Sequence, residues 1–480
     1  MPRLPHRAIA VCSLLLGTGV CAATARAAGP PPTPTPTMAA SPSAASALDD
    51  PLLVPPAPAP RILASWDEAL SLIRAQSPDY RSSEEAVRRA DGQREIALAA
   101  VLPVVQGQGG YTHQFLAPIH ATLAGLTGPA TATPLPIVAF PVVAPPADAF
   151  TATGSVTWNA INPRGIYGVG TADRAIDVAR MTFEDRRRQI AAATVDAILA
   201  ALTAARVAEL NRVGLRAALD RLLLTRTRLQ FGQGTELDVD RAMQDAAASR
   251  SAIITGDESL RRSREALGVV LGSSIAMAPP QDADLESFET AVARTCKLND
   301  DLERRPDVAA ARLRVEVAQR GVHDAELMFA PSVVLSSAVQ YSNAPVLAPN
   351  ATWSVSGLLN VPIYDGGVRY GALKDSRAAL EQARQTLAST RLAAVTASAQ
   401  AHRAVGVLQH TRDVAREQRD LAARIDARIR DGYAHGLGTS LDLVISAQAL
   451  RQADIDLAIL EFQVDDARAN AVLADAECVY

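Results

Sequence analysis

The chain has 480 residues, enough for two or three ordinary domains, yet aromatic residues make up only 4% of it. Alanine is abundant, so close packing of small side chains between helices is expected rather than one large globular core. The formal net charge of −4 gives no footing for a nucleic-acid partner.

Arg3 and Arg7 precede an apolar run, and Ala25-Arg26-Ala27 fits a small-residue cleavage site. Residues 1–27 therefore read as a signal peptide, which places the remainder outside the cytoplasm. The run is broken by Gly17 and Gly19, against a membrane anchor. Val20 stands before Cys21, where a lipid-attachment site takes a small residue, so no lipid anchor is expected. Removing the signal takes Cys12 and Cys21 and leaves Cys296 and Cys478. Residues 28–61 form a proline-rich tether, with runs such as "GPPPTPTPT" and "PPAPAPR", read as an extended spacer. No later segment has about 18 consecutive apolar residues, so no transmembrane helix is expected.

The rest of the chain reads twice. "SPDY" at Ser77 and "RPDV" at Arg305 open similar stretches; Pro78 and Asp79 match Pro306 and Asp307, and Pro103 matches Pro331. "GTELDV" from Gly234 matches "GTSLDL" from Gly438. The spacing difference falls between paired strands, where the loop from Gln114 to Ala149 is long and its counterpart at 343–352 is short. One unit is thus expected at 62–272 and again at 297–480, with a linker at 273–296. In each, a helix of about 35 residues leads to two strands, a very long helix, a glycine-rich turn and a second helix of about 35 residues. The long helices are expected at 164–230 and 367–431, with the short pair stacked end to end beside each. Leu373, Leu380, Leu387, Ala394, Ala401, Leu408, Ala415, Ala422 and Ile429 keep a seven-residue register, as do Ala201, Ala208, Leu215, Leu222 and Leu229. Such a register means helix-on-helix packing along the full length.

The strands alternate. Phe150, Ala152, Gly154, Val156 and Trp158 oppose Thr151, Thr153, Ser155, Thr157 and Asn159. Trp353, Val355, Gly357, Leu359 and Val361 oppose Ser354, Ser356, Leu358 and Asn360. A soluble half-buried sheet would alternate too, but uncharged polar faces on strands of about ten residues suit a membrane barrel with a wet lumen. Phe150, Trp158, Tyr341 and Trp353 fit interfacial girdles. Four strands cannot close a barrel, so they must be shared between chains. Two copies would supply eight strands and a filled interior; three would supply twelve and a channel, the favoured count. Strand-to-helix junctions are expected at Asn162-Pro163-Arg164-Gly165 and at Pro362 with Asp365-Gly366-Gly367.

"RPDVAAARLRVEVAQRGVHDAELMFAPSVVLSSA", "VPIYDGGVRYGALKDSRAAL" and "GLGTSLDLVISAQALRQADIDLA" resemble the TolC-type outer-membrane efflux proteins over residues 62–478. The resemblance implies an α+β membrane protein. It would be a homotrimer whose 12-stranded β-barrel sits in outer-membrane lipid and continues as a long α-helical coiled-coil barrel into the periplasm. It also implies export of small molecules with a periplasmic adaptor (membrane fusion protein) and an inner-membrane pump. A duct for type I protein secretion is the alternative cargo reading. A periplasmic adaptor would not have the strands, and a coiled-coil rod would not need two strand pairs at one end.

The turns far from the strands hold the site candidates. Gly232 and Gly234 lie in the first, and Gly432, Gly436 and Gly438 in the second; glycine is expected there to supply positive φ. Thr235 and Thr439 are placed to cap the returning helices. By the resemblance, these turns dock the adaptor and surround the pore mouth. Asp442 and Asp238, at matched positions, would form carboxylate rings. The family's aspartates two and five residues before an alanine-glutamine pair correspond here to Ile445 and Asp442, before Ala447-Gln448, so Asp442 is the gate candidate. Cys296 and Cys478 should both lie near mid-height; spacing leaves open a disulfide or two separate buried thiols. No phosphate-loop pattern, H-E-x-x-H or G-x-S-x-G is found, so no enzyme activity, metal or cofactor is expected. His402 and His410 read as solvent or interhelix residues, and "RRR" at 186–188 as a solvated helix face or a lumen ring.

Overall fold

A computed structural model describes residues 50–115, 148–280, 285–298, 301–343, 350–478 and 480. The expected signal peptide, Cys12, Cys21, residues 28–49 of the expected tether and most of the loop from Gln114 to Ala149 lie outside the described residues. In chain order the elements are β1 (Arg61–Ile62), α1 (Trp66–Gln76), α2 (Pro78–Ala99), β2 (Val104–His113), β3 (Asp148–Ile161), α3 (Pro163–Gln230) and α4 (Glu236–Val270). They continue with β4 (Met277–Ala278), α5 (Leu285–Thr295), β5 (Cys296–Leu298), α6 (Pro306–Leu327), β6 (Ser332–Ser342), β7 (Ala351–Asn360), α7 (Val368–Ala434), α8 (Ser440–Asp475) and β8 (Ala476–Cys478).

The long helices have 68 and 67 residues, a length of roughly 100 Å at the α-helical rise. Their starts are fixed locally. Asn162 accepts a hydrogen bond from Gly165 N at 3.0 Å, and Pro163 takes the first helical position, where its missing N–H costs nothing. A Cβ on Gly165 would come within 2.4 Å of Asn162 Nδ2. At α7, Gly367 adopts φ 95° as the cap, and Asp365 accepts from Gly367 N at 3.2 Å. Arg369 then ties the corner. Its side chain donates to Asp365 Oδ2 at 2.8 Å and to the Pro362 carbonyl at 2.9 Å, and stacks on Phe329. The expected stripe on α7 is its inner face: Ala394 and Ala415 are buried and the other seven positions half-buried.

α2 and α4 pack against α3, and α6 and α8 against α7, while α3 also packs on α6 and α8 to join the two units. The first helix of each unit is shorter than expected. Ser77 is extended (φ −65°, ψ 120°) ahead of Pro78, whose ring disfavours helix at the preceding residue, so the first splits into α1 and α2. Pro306 likewise starts α6 directly after Arg305. The stacked pairs therefore do not span the long helices, and α1, α5 and the two short strand pairs β1–β4 and β5–β8 fill the gap at mid-height. The largest apolar core lies there, built by Leu70 and Ile73 of α1, Val195 of α3, Leu267 of α4, Leu473 of α8, Met277, Cys296 and Cys478. β5 and β8 pair antiparallel, setting Cys296 opposite Cys478, and the two are joined by a disulfide.

One stretch of α3 bears on the expectation of no membrane-crossing helix. An 18-residue stretch of α3 reaches a mean hydropathy of 1.7, apolar enough by length and composition to cross a membrane. Half of that stretch is buried within the chain. The tether also differs from its expectation. Residues 50–62 form a strap along α3 and α4: Asp50 pairs with Arg250 at 2.6 Å, Leu52 and Leu53 cover Leu215 and Ile253, and β1 pairs in parallel with β4. Nor is 186–188 a solvated face, for Arg187 is buried between Phe183 and Tyr480, and Arg188 pairs with Asp185 at 2.7 Å.

The four long strands form one antiparallel sheet in the order β2-β3-β6-β7. β3 and β6 link the two units, from Thr151 opposite Ser342 to Ile161 opposite Val333, with an irregularity between Trp158 and Ile161. β2 and β7 are its outer strands, and every residue of β7 is exposed.

Candidate pore gate at the helix turns

At the end of α3, Gly232 adopts φ 70°. Gln233 N donates to Arg228 O at 2.8 Å and Gly232 N to Leu229 O at 3.0 Å. At the end of α7, Gly436 adopts φ 80°, Leu437 N donates to Gly432 O at 2.8 Å and Gly436 N to Tyr433 O at 3.1 Å. Both are Schellman closures, which satisfy helix carbonyls by means of a left-handed residue. Only these two glycines of the turns have positive φ. Gly432 lies inside α7, and Gly234 and Gly438 are close-approach positions: a Cβ would meet Leu229 N at 3.3 Å and Tyr433 N at 3.4 Å.

The returning helices start alike. Thr235 and Asp238 form a capping box on α4, and Thr439 and Asp442 form one on α8. The threonine hydroxyls donate to Asp238 Oδ2 at 2.8 Å and to Asp442 Oδ2 at 2.6 Å. The two aspartates then diverge. Asp442 is exposed, whereas Asp238 is half-buried and accepts a second bond, on Oδ1, from the Ser440 hydroxyl. That bond, with those from Thr235, holds the Asp238 carboxyl below its ordinary range against the opposing effect of burial.

The sequence reading missed the bolts between the two turns. Arg228 donates to the Ala434 carbonyl at 3.0 Å and its guanidinium lies 4.3 Å from the Tyr433 ring centre. Arg241 donates to Ser440 Oγ at 3.4 Å. Two turns further up, Arg221 of α3 pairs with the buried Asp245 of α4 at 2.6 Å, and Gln448 of α8 donates to the other Asp245 oxygen at 3.0 Å. Asp426 of α7 is also buried, paired with Arg430 at 2.7 Å and accepting from Ser446 of α8 at 3.0 Å. Apart from Asp426 and Arg430, four residues apart on α7, no local sequence signal marks these contacts, because their partners come from different helices.

His402 Nε2 lies 2.8 Å from Asp475 of α8, an interhelix contact. Among the described residues no group of three or more His, Cys, Asp or Glu side chains could hold a metal.

Residues 298–477, which hold the second turn and its capping box, match the family model described as outer membrane efflux protein. Over those residues the chain is similar to the outer membrane efflux proteins. It is 26% identical over 321 residues to the fusaric acid resistance protein FusA of Burkholderia cepacia, covering 63% of this chain and 56% of that relative. It therefore spans little more than half the length of FusA. It is 23% identical to the pyoverdine export outer membrane protein OpmQ of Pseudomonas putida over 405 residues, 82% of each chain. In fold it resembles the outer membrane protein VceC of Vibrio cholerae, with a TM-score of 0.69 at 18% identity over 85% of this chain and 95% of that one.

Proposed function

We propose that this chain acts as a homotrimer. Each copy gives β2, β3, β6 and β7 to a 12-stranded outer-membrane barrel, and the long helices continue the wall as a duct through the periplasm. The observation that carries the proposal is the sheet itself: it stands open at β2 and β7, at one end of helices about 100 Å long. In lipid an open edge leaves backbone groups unpaired, so neighbouring copies must pair them. A stripe on α7 supports the same reading, for Val407, Val414, Leu421 and Ile425 are large, apolar and exposed at heptad-like spacing.

The duct works with a periplasmic adaptor and an inner-membrane pump, the adaptor docking at the turns around Gly232–Thr235 and Gly436–Thr439. Asp442, exposed and repeated three-fold, forms the carboxylate ring of the gate; Asp238, tied to Ser440, holds the closed arrangement. Small molecules are the cargo, in line with relatives named for fusaric acid resistance and pyoverdine export.

Mass measurement in detergent tests the assembly, with three times the mass of one chain expected and a stable monomer with a closed pore refuting it. Deleting the gene and profiling drug susceptibility beside the secretome tests the cargo. Lost secretion of a protein with unchanged susceptibility would establish the type I secretion alternative instead.

A further inference from the structure

The strap at 50–62 roofs a cavity of about 720 Å³ on one face of α3. That volume is in the range of small-molecule sites. Pro55 and Pro58 of the strap, Leu202, Leu260 and Phe462 give it apolar walls, and its charged lining is Arg206, Glu209, Arg212 and Arg264. Two of the cations are answered: Arg206 by Glu209 at 2.7 Å and Arg212 by Asp257 at 2.5 Å. Arg264 has only a share of Asp257: it is 9% exposed, and Asp257, paired directly with Arg212, acts on its charge without a direct ion pair among the described residues. Its Nη1 donates to the Ala57 carbonyl of the strap at 3.0 Å. Its Nε is buried without an acceptor, and so is the Nε of Arg212. A buried cation with an unfilled donor and no carboxylate of its own is costly in a folded protein and leaves room for an anion. The opposite face of α3 has the reverse character: a cavity of about 460 Å³ there is lined by Asp196 and Asp466.

We propose that the cavity under the strap binds a small amphiphilic monoanion. The anionic head rests on Arg264 beside Arg212, and the apolar body lies between the strap and Leu202, Leu260 and Phe462. The site is complete within one chain, so it stands or falls separately from the trimer and from export. Its chemistry fits a short fatty acid of lipid origin or an aromatic carboxylic acid in transit.

Calorimetric titration of the full-length protein in a non-ionic amphipol tests the proposal with octanoate, 1-naphthoate, octanol and octyltrimethylammonium. Saturable binding of one acid per chain is expected, at least about tenfold tighter than octanol, with the cation excluded. The tighter of the two acids identifies the source. Arg264→Leu should abolish the preference for the acid, and Arg264→Lys should keep part of it. Ala205→Trp, which fills the cavity without changing its charge, should block every probe, and it decides the matter even if Arg264→Leu does not fold. Octanol binding as tightly as octanoate, unchanged affinity in Ala205→Trp, or no saturable binding would each overturn the site.

Discussion

Replacing the disulfide partners, Cys296→Ala with Cys478→Ala, should destabilise the mid-height core more than any other pair of small-residue changes. The bridge closes a loop with a sequence separation of 182. In the chain-entropy account, a loop of that length removes about 18 cal/mol/K from the unfolded chain, or about 5 kcal/mol at 25 °C. Residual structure in the unfolded state lowers the expected loss to about 3–5 kcal/mol. Both cysteines are 0% exposed. Reductant should therefore leave the native protein oxidised and act only once the core opens. The assay is guanidinium unfolding of wild type and double variant, with thiol labelling before and after denaturation. Neither state of the wild type should label without reductant, and the variant should have a clearly lower midpoint. Two free thiols per wild-type chain, or equal midpoints, would refute it.

Asp442→Ala should remove half of a capping box, at about 1 kcal/mol, while trimers still form; cation block in planar bilayers should weaken, and unchanged block would exclude Asp442 from the gate. Ser440→Ala should loosen the turns and raise conductance. Because the Asp238 carboxyl is held below its ordinary 3.8, its contribution is present above that value and is lost as pH falls below it, so wild-type conductance should rise only in that acidic window. Arg221→Ala should cost about 3–5 kcal/mol by stranding the buried Asp245, whereas Arg221→Met with Asp245→Leu should cost far less; urea unfolding reads both. Asp466 is pushed up to about 6, first by burial and then by Asp196. A raised carboxyl favours the fold at low pH and loses that advantage as pH climbs from about 4 to 6. Asp466→Asn should therefore raise neutral-pH stability by about 1–2 kcal/mol, a value discounted because the pair is partly open to solvent, with no gain at pH 4 in thermal melts.

The features that sequence showed well are those written locally. α3 and α7 begin and end within a few residues of expectation, because proline, asparagine and glycine punctuate them and a heptad stripe runs between. The turn glycines and the Thr235 and Thr439 caps were legible for the same reason. Pro78 was equally local, yet it was read as a mark of the repeat rather than as the break that frees α1 for the core. Contacts made across the chain left no trace. Ser440 reaches an aspartate 202 positions away and Arg228 a carbonyl 206 away, and nothing in either neighbourhood advertises the partner. The strap failed differently. Proline content says that a segment is extended, but docking here depends on Asp50, two leucines and a backbone carbonyl, which look the same in a free spacer.

The strap also constrains the order in which the molecule can be put together. Its partners are Arg250 and Arg264 on α4, and β4 beyond it, which β1 joins side by side in parallel. None of these exists as a surface until the α3–α4 hairpin has closed and the chain has run on past residue 278. Such long-range pairings form late, since their loop must close first. A segment that emerges among the earliest of the chain must therefore wait, unattached, for a seat made some two hundred residues later. A copy whose strap is still loose would have its hairpin built but unfastened.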